Sequence, residues 1–349
     1  MKSLHYERLS NKNEENQTTN NNNSTIKNWR SLILILSSCI FIFTLNFSLK
    51  KPNLNKFESI NGYFIQSNLE TDPQSFNVYD PNVSFGLINK LGWKSFFKSI
   101  NKLNQINSSQ KIYYKVIFAA RHGQGFHNLA ETKYGTIMWD CKWSELNGDG
   151  NLTWGPDARL SEQGKSEVII AKKAWEREIS NGLPLPELMI VSPLSRAIET
   201  MKITGLWGFL GPAEIREQWR ENIGLHTCDR RRKKSEILNE FNHTVIKFEK
   251  DFKEEDELWD PIYQETSQQL DIRIRKALGQ LFNEKSTHQF ISITAHSGVI
   301  SSLLRVIGHR DYPTQTGGMI PLVVKASWEP SHTIPPLPGP SGIRPNCPT

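Results

Sequence analysis

Three apolar runs in this sequence break off at residues able to grip an anion: Arg121 and His122, Arg196, and His296. A guanidinium offers a planar fork of N–H donors, and an imidazole changes charge near neutral pH. Two of each converging in one cleft would form a trap for a phosphate dianion. The first run reads Lys115-Val116-Ile117-Phe118-Ala119-Ala120 and stops at Arg121-His122-Gly123-Gln124-Gly125-Phe126-His127-Asn128. A short apolar run ending at glycine reads as a buried strand, and Gly123 lets backbone approach closely. Taken alone, the stretch is equally a strand followed by an ordinary polar turn. The other two junctions must supply the partners.

The elements around them repeat. Leu188-Met189-Ile190-Val191 is a short strand running into Ser192-Pro193, which reads as an N-cap with proline at the first helical position. Leu194, Ile198 and Met201 then share a helical face, placing Arg196 in the first turn. Phe290 to Ala295 is a strand ending at His296-Ser297-Gly298, followed by a helix carrying Val299, Ile300, Leu303, Leu304 and Ile307. A first helix spans Phe126 to Tyr134. Residues 135–158, with Trp139, Trp143 and Trp154, read as a long ordered loop. Ser161 caps a helix with Val168, Ala171, Trp175 and Ile179 on one face; another helix carries Leu270, Ile274, Ala277 and Leu281, and a last strand covers 319–326. Strand then helix, three times, implies a parallel sheet whose strand ends line one side.

Arg121-His122-Gly123, Ser192-Pro193-Leu194-Ser195-Arg196-Ala197-Ile198-Glu199-Thr200 and His296-Ser297-Gly298, in that order, resemble the motifs of the histidine phosphatase superfamily. Leu160-Ser161-Glu162-Gln163-Gly164 fits the family's helix entry, and Gly224-Leu225-His226-Thr227-Cys228-Asp229-Arg230-Arg231 resembles a fungal branch of mutase-like phosphatases. The resemblance covers about residues 113–326. It implies a three-layer α/β/α fold with a mostly parallel central sheet, of the phosphoglycerate mutase-like kind. It also implies roles. His122 would attack phosphorus and form a phosphohistidine. Arg121, Gly123, Asn128, Arg196 and His296 would surround the phosphoryl oxygens. Glu221 would protonate the leaving oxygen and later activate water. His127, His226 and His243 read as structural or rim residues.

The resemblance implies a phosphomonoester hydrolase acting on a small phosphorylated metabolite. The alternatives are phosphoglycerate mutase-type transfer and a phosphate-binding scaffold without catalysis. The basic run Arg230 to Lys234 is either a solvated helix start or a loop reaching a second phosphate. No metal-ligand cluster and no nucleotide-binding glycine loop stand out, so neither metal nor cofactor is expected. The +6 net charge fits acidic small molecules and is too mild to imply nucleic acid. Four cysteines without close pairs exclude a zinc ribbon or a dense disulfide framework.

Residues 1–30 are polar and Asn-rich, reading as a disordered tail. Residues 31–49 lack any charge and would span about 28 Å as a helix. They are expected to be a single membrane anchor; a cleaved signal peptide is the rival, although no Ala-x-Ala site follows. Flanking lysines and arginines do not fix the side of the membrane. Residues 50–75 then form a stem, 76–329 the catalytic domain and 330–349 a Pro-rich tail.

Overall fold

The computed structural model describes residues 55–88, 92–283, 288–329 and Cys347. Its strands are β1 Lys56–Ser59, β2 Tyr113–Arg121, β3 Leu188–Val191, β4 Ala213–Ile215, β5 Ile246–Phe248, β6 Phe290–Ala295 and β7 Met319–Ser327. They form one sheet in the order β1-β7-β2-β6-β3-β4-β5. From β2 through β6, β3 and β4 to β5 every pairing is parallel, while β7 runs antiparallel to β2 and to β1. The helices are α1 Gly92–Asn107, α2 Phe126–Tyr134, α3 Thr136–Cys141, α4 Glu162–Ser180, α5 Ser195–Thr204, α6 Trp207–Leu210, α7 Lys234–Phe241, α8 Ser267–Asn283 and α9 Ser297–Val306.

Both faces of the sheet are covered. Trp93 and Phe96 of α1, Trp175 of α4 and Ile198 of α5 pack with Val116, Phe118 and Val191. On the opposite face Leu270 and Ile274 of α8 and Val299 and Leu303 of α9 pack with Ile117, Ala119, Ile190 and Ile293. A strand buried on both faces turns apolar residues toward both layers, so β3 and the centre of β2 appear in the sequence as apolar runs, while β6 carries Ser292 and Thr294 buried within it. This is the three-layer α/β/α arrangement with a mostly parallel centre.

Register levels the three strand tips. Arg121 pairs with Ala295 across β2 and β6, and Val191 pairs with Thr294 across β3 and β6. The ladder runs one rung further: the His122 N–H donates to the Ala295 carbonyl and the Ser192 N–H to the Thr294 carbonyl, each at 3.0 Å. His122, Ser192 and His296 therefore leave the sheet at one height.

Several local expectations change. Ser192 does not cap a helix, because α5 starts at Ser195. The cap comes from Asp157, whose Oδ1 accepts the Ser195 N–H at 2.7 Å and whose Oδ2 accepts the Ser195 hydroxyl at 2.5 Å. Residues 56–59, read as stem, are β1. The stretch 135–158 holds α3, and its Trp139 and Trp154 form a small apolar cluster with Ala130, Ala158 and Cys228. Cys141 at the end of α3 is joined by a disulfide to Cys347, 206 residues later.

Among the described residues no helix is long and apolar enough to cross a membrane. That finding corrects the expected single-pass membrane localisation, and with it the membrane as a partner. The run 31–49 that suggested both lies outside the described residues, as do the tail at 1–30 and residues 330–346.

The loop after β2 meets the first turn of α4 backbone to backbone. A Cβ on Gly164 would stand 2.1 Å from the Gln124 carbonyl oxygen, and one on Gly123 would stand 2.4 Å from the Gly164 oxygen. Gly164→Ala must push that loop outward, at a cost of about 1–3 kcal/mol. Thermal melting should show a lower midpoint together with reduced turnover; an unchanged melt would mean that the contact relaxes freely.

Candidate active site

Everything at the strand tips is arranged around Arg196, the second residue of α5, which is 1% exposed. Its Nη1 donates to the Cys228 carbonyl at 2.8 Å and its Nη2 to Asp229 Oδ1 at 2.6 Å. With two corners of the guanidinium fixed, Nε points at His122 and donates to His122 Nε2 at 3.2 Å. The other ring nitrogen, His122 Nδ1, lies 2.7 Å from the Gly123 carbonyl. A carbonyl can only accept, so Nδ1 carries the proton and Nε2 the lone pair.

His296 is fully buried, its Nε2 2.7 Å from the Ser192 hydroxyl. Its ring centroid is 5.0 Å from that of His122. His127 stands on the other ring contact of His122, at 5.3 Å. Arg121 gives Nη1 to the Thr314 carbonyl at 3.0 Å. Arg121 Nε, His127 Nδ1 and His296 Nδ1 are buried and have no hydrogen-bond partner among the described residues. Loop 312–318 braces this side: the Gly317 N–H donates to the His122 carbonyl at 2.9 Å, and the Tyr79 hydroxyl holds the Gly317 carbonyl at 2.8 Å.

Burial, and after it the Arg196 charge, hold His122, His127 and His296 well below the usual imidazole range. All three are neutral at pH 7. Glu221 moves the opposite way, raised by burial and then by the Asp229 carboxylate. Its Oε2 accepts the Gly298 N–H and its Oε1 the Asn222 N–H, both at 3.1 Å, so it sits against the first turn of α9. It lies within the field of both Arg121 and Arg196.

The structure thus brings Arg121, His122, Arg196 and His296 together, with Glu221 beside them. Asn128 and Gly123 serve the loop. Asn128 Oδ1 accepts the Gly125 N–H at 2.9 Å, which leaves only its amide nitrogen to meet a ligand. The Gly123 N–H donates to Thr200 Oγ1 at 3.0 Å, so both its polar backbone atoms face protein. Sequence reasoning passed over Asp229, Ser192 as a histidine partner, and Thr200. Asp229 is 33 residues from the arginine it holds, and the only signal for it is that a buried guanidinium needs an anion.

Within the basic run Arg231, Arg232 and Lys233 are paired internally, while Arg230 is exposed with its guanidinium 5.0 Å from the Trp259 ring centre. Arg231 Nε pairs with Glu217 Oε2 at 2.9 Å, and its guanidinium lies 4.5 Å from the Phe252 ring centre. Arg232 bonds Asp157 Oδ2 at 3.0 Å and Glu240 Oε2 at 2.8 Å. Lys233 pairs with Glu255. One group of metal-ligand types exists among the described residues, His226, Cys228 and Asp229, with ligand atoms within 4.8 Å of one another. Asp229 is committed to Arg196, whose charge opposes a cation there.

The family model for the histidine phosphatase superfamily (branch 1) matches residues 117–317. A "probable phosphoglycerate mutase" of Arthroderma benhamiae is 39% identical over 289 residues, covering 77% of this chain and 84% of that one. "Phosphomutase-like protein 3" of Candida albicans is 33% identical over 78% of this chain and 81% of its own. A "probable phosphoglycerate mutase" of Saccharomyces cerevisiae is 35% identical over 68% of this chain and 86% of its own.

Because the folded pKa of His122 lies below the unfolded value of about 6.5, the unfolded chain binds the extra proton as pH drops. Its contribution to stability is complete above that pH and is lost below it, at up to roughly 1.4 kcal/mol per pH unit. Urea unfolding between about pH 5.5 and 6.5 should show a shallower pH slope for His122→Asn than for the native chain. Identical slopes would mean that His122 takes up its proton equally in the folded and unfolded chains.

Proposed function

This chain belongs to the histidine phosphatase superfamily (branch 1), and on that premise we propose that it hydrolyses a small phosphomonoester through a phosphohistidine on His122. The observation that carries the reading is the pair of buried, unpartnered nitrogens on Arg121 and His296 beside His122. Buried polar atoms are ordinarily paired. A phosphoryl group supplies oxygens for such donors, and the two guanidinium groups supply the countercharge.

The lone pair on His122 Nε2 attacks phosphorus as the P–O bond to the leaving group breaks. Arg121, Arg196 and His296 hold the non-bridging oxygens, where positioning and charge stabilisation do most of the work. Asn128 adds its amide nitrogen. Glu221 starts protonated, which its raised pKa supports, and gives that proton to the departing oxygen. Water then attacks the phosphohistidine while the Glu221 carboxylate takes its proton. Phosphate leaves, and both residues return to their starting forms.

Hydrolysis is favoured over phosphoglycerate isomerisation by the fate of Arg231 and Arg232 in the basic run. Arg231 and Arg232 are tied into ion pairs with Glu217, Asp157 and Glu240, so they do not form a subsite for a substrate carboxylate. The relatives whose names carry a mutase activity make the comparison a necessary one. Phosphate release from a panel of monoesters should therefore be measured beside isomerisation of 3-phosphoglycerate. Isomerisation without phosphate release would overturn the hydrolase. His122→Ala should abolish both turnover and acid-labile phosphate on the protein. Glu221→Gln should slow alkyl phosphates by about 100-fold or more and activated aryl phosphates far less; equal slowing would remove Glu221 from the acid role.

A further inference from the structure

His127 takes no part in the reaction as written, yet it is built into the same pocket. Its ring lies 5.3 Å from His122, almost as near as His296 at 5.0 Å. Its Nδ1 is buried and without a hydrogen-bond partner among the described residues. The loop makes room for that atom: a Cβ at Gly125 would stand 2.6 Å from it. Its charged surroundings are Arg196 and Arg121, with His122 and His226 the nearby imidazoles. A neutral N–H donor grouped with two guanidinium cations has a natural common partner in an oxyanion.

We propose that His127 is a further substrate-contacting residue, its Nδ1–H donating to an oxygen of the phosphoryl group. This rests on the phosphoryl-binding reading of the pocket and adds a donor to it. The donor stands in the first turn of α2, on the segment that directly follows the nucleophile.

Calorimetric titration of the full chain with inorganic phosphate tests this without requiring turnover. His127→Phe, which fills the space but has no donor, should weaken phosphate binding by about tenfold, and His127→Asn, whose amide N–H stands near the place of Nδ1, should stay within about threefold of the native chain. Native affinity in the Phe variant would overturn the proposal. Equal loss in the Phe and Asn variants would also overturn it, by showing that the ring matters only for packing. A native chain that binds phosphate but releases none from any monoester would overturn the hydrolase and leave the His127 comparison standing. A native chain that binds no phosphate would overturn both.

Discussion

Arg196 keeps a full positive charge with almost none of its surface open to water, and the rest of the site answers that requirement. A buried cation without compensation would unfold the region around it. Asp229 and the Cys228 carbonyl satisfy two corners of the guanidinium, which draws the 226–229 segment over the strand tips. The remaining corner fixes the tautomer of His122 from one side while the Gly123 carbonyl fixes it from the other. Burial first, and the same charge after it, keep the neighbouring imidazoles unprotonated. A lone pair on His122 Nε2 thus follows from an ion pair about the helix that follows β3.

Much of this was legible in the sequence because β2, β3 and β6 are buried on both faces. The run from Val116 to Ala120 has no polar interruption before Arg121 and His122, and His296 directly follows the last residue of β6, so these residues stand out at the strand tips. Parallel neighbours in matched register then do what the repeated strand–helix pattern implies, setting those residues at one height. Arg196 was placed in the first turn of its helix by the spacing of Leu194, Ile198 and Met201, and it lies there.

What could not be read depends on long-range partners. Ser-Pro is a local capping pattern, but the cap of α5 is Asp157, 38 residues earlier, and this frees Ser192 to hold His296. Arg231 and Arg232 look like solvated charge until Glu217, Asp157 and Glu240 are folded against them. His127 lies on a helix among polar residues, and spacing does not tell which way its ring turns. β1 has no apolar run to announce it, and β4 and β5 are only three residues each. The hydropathy of residues 31–49 speaks for those residues alone, and among the described residues no helix is both long and apolar enough to cross a membrane.

The arrangement of β1 has a consequence for self-association. An uncovered outer strand offers its free amides and carbonyls to any passing chain. Here β1 and its flanks occupy the outer side of β7 from Val323 to Ser327, and Pro321 lacks the N–H that further pairing would use. At the far side the sheet ends in a three-residue strand whose middle residue, Lys247, is exposed and charged. Shortening the amino terminus past Ile60 would leave the pocket residues in place while exposing about five residues of sticky backbone. Such a fragment would be an aggregating protein before it was an inactive one.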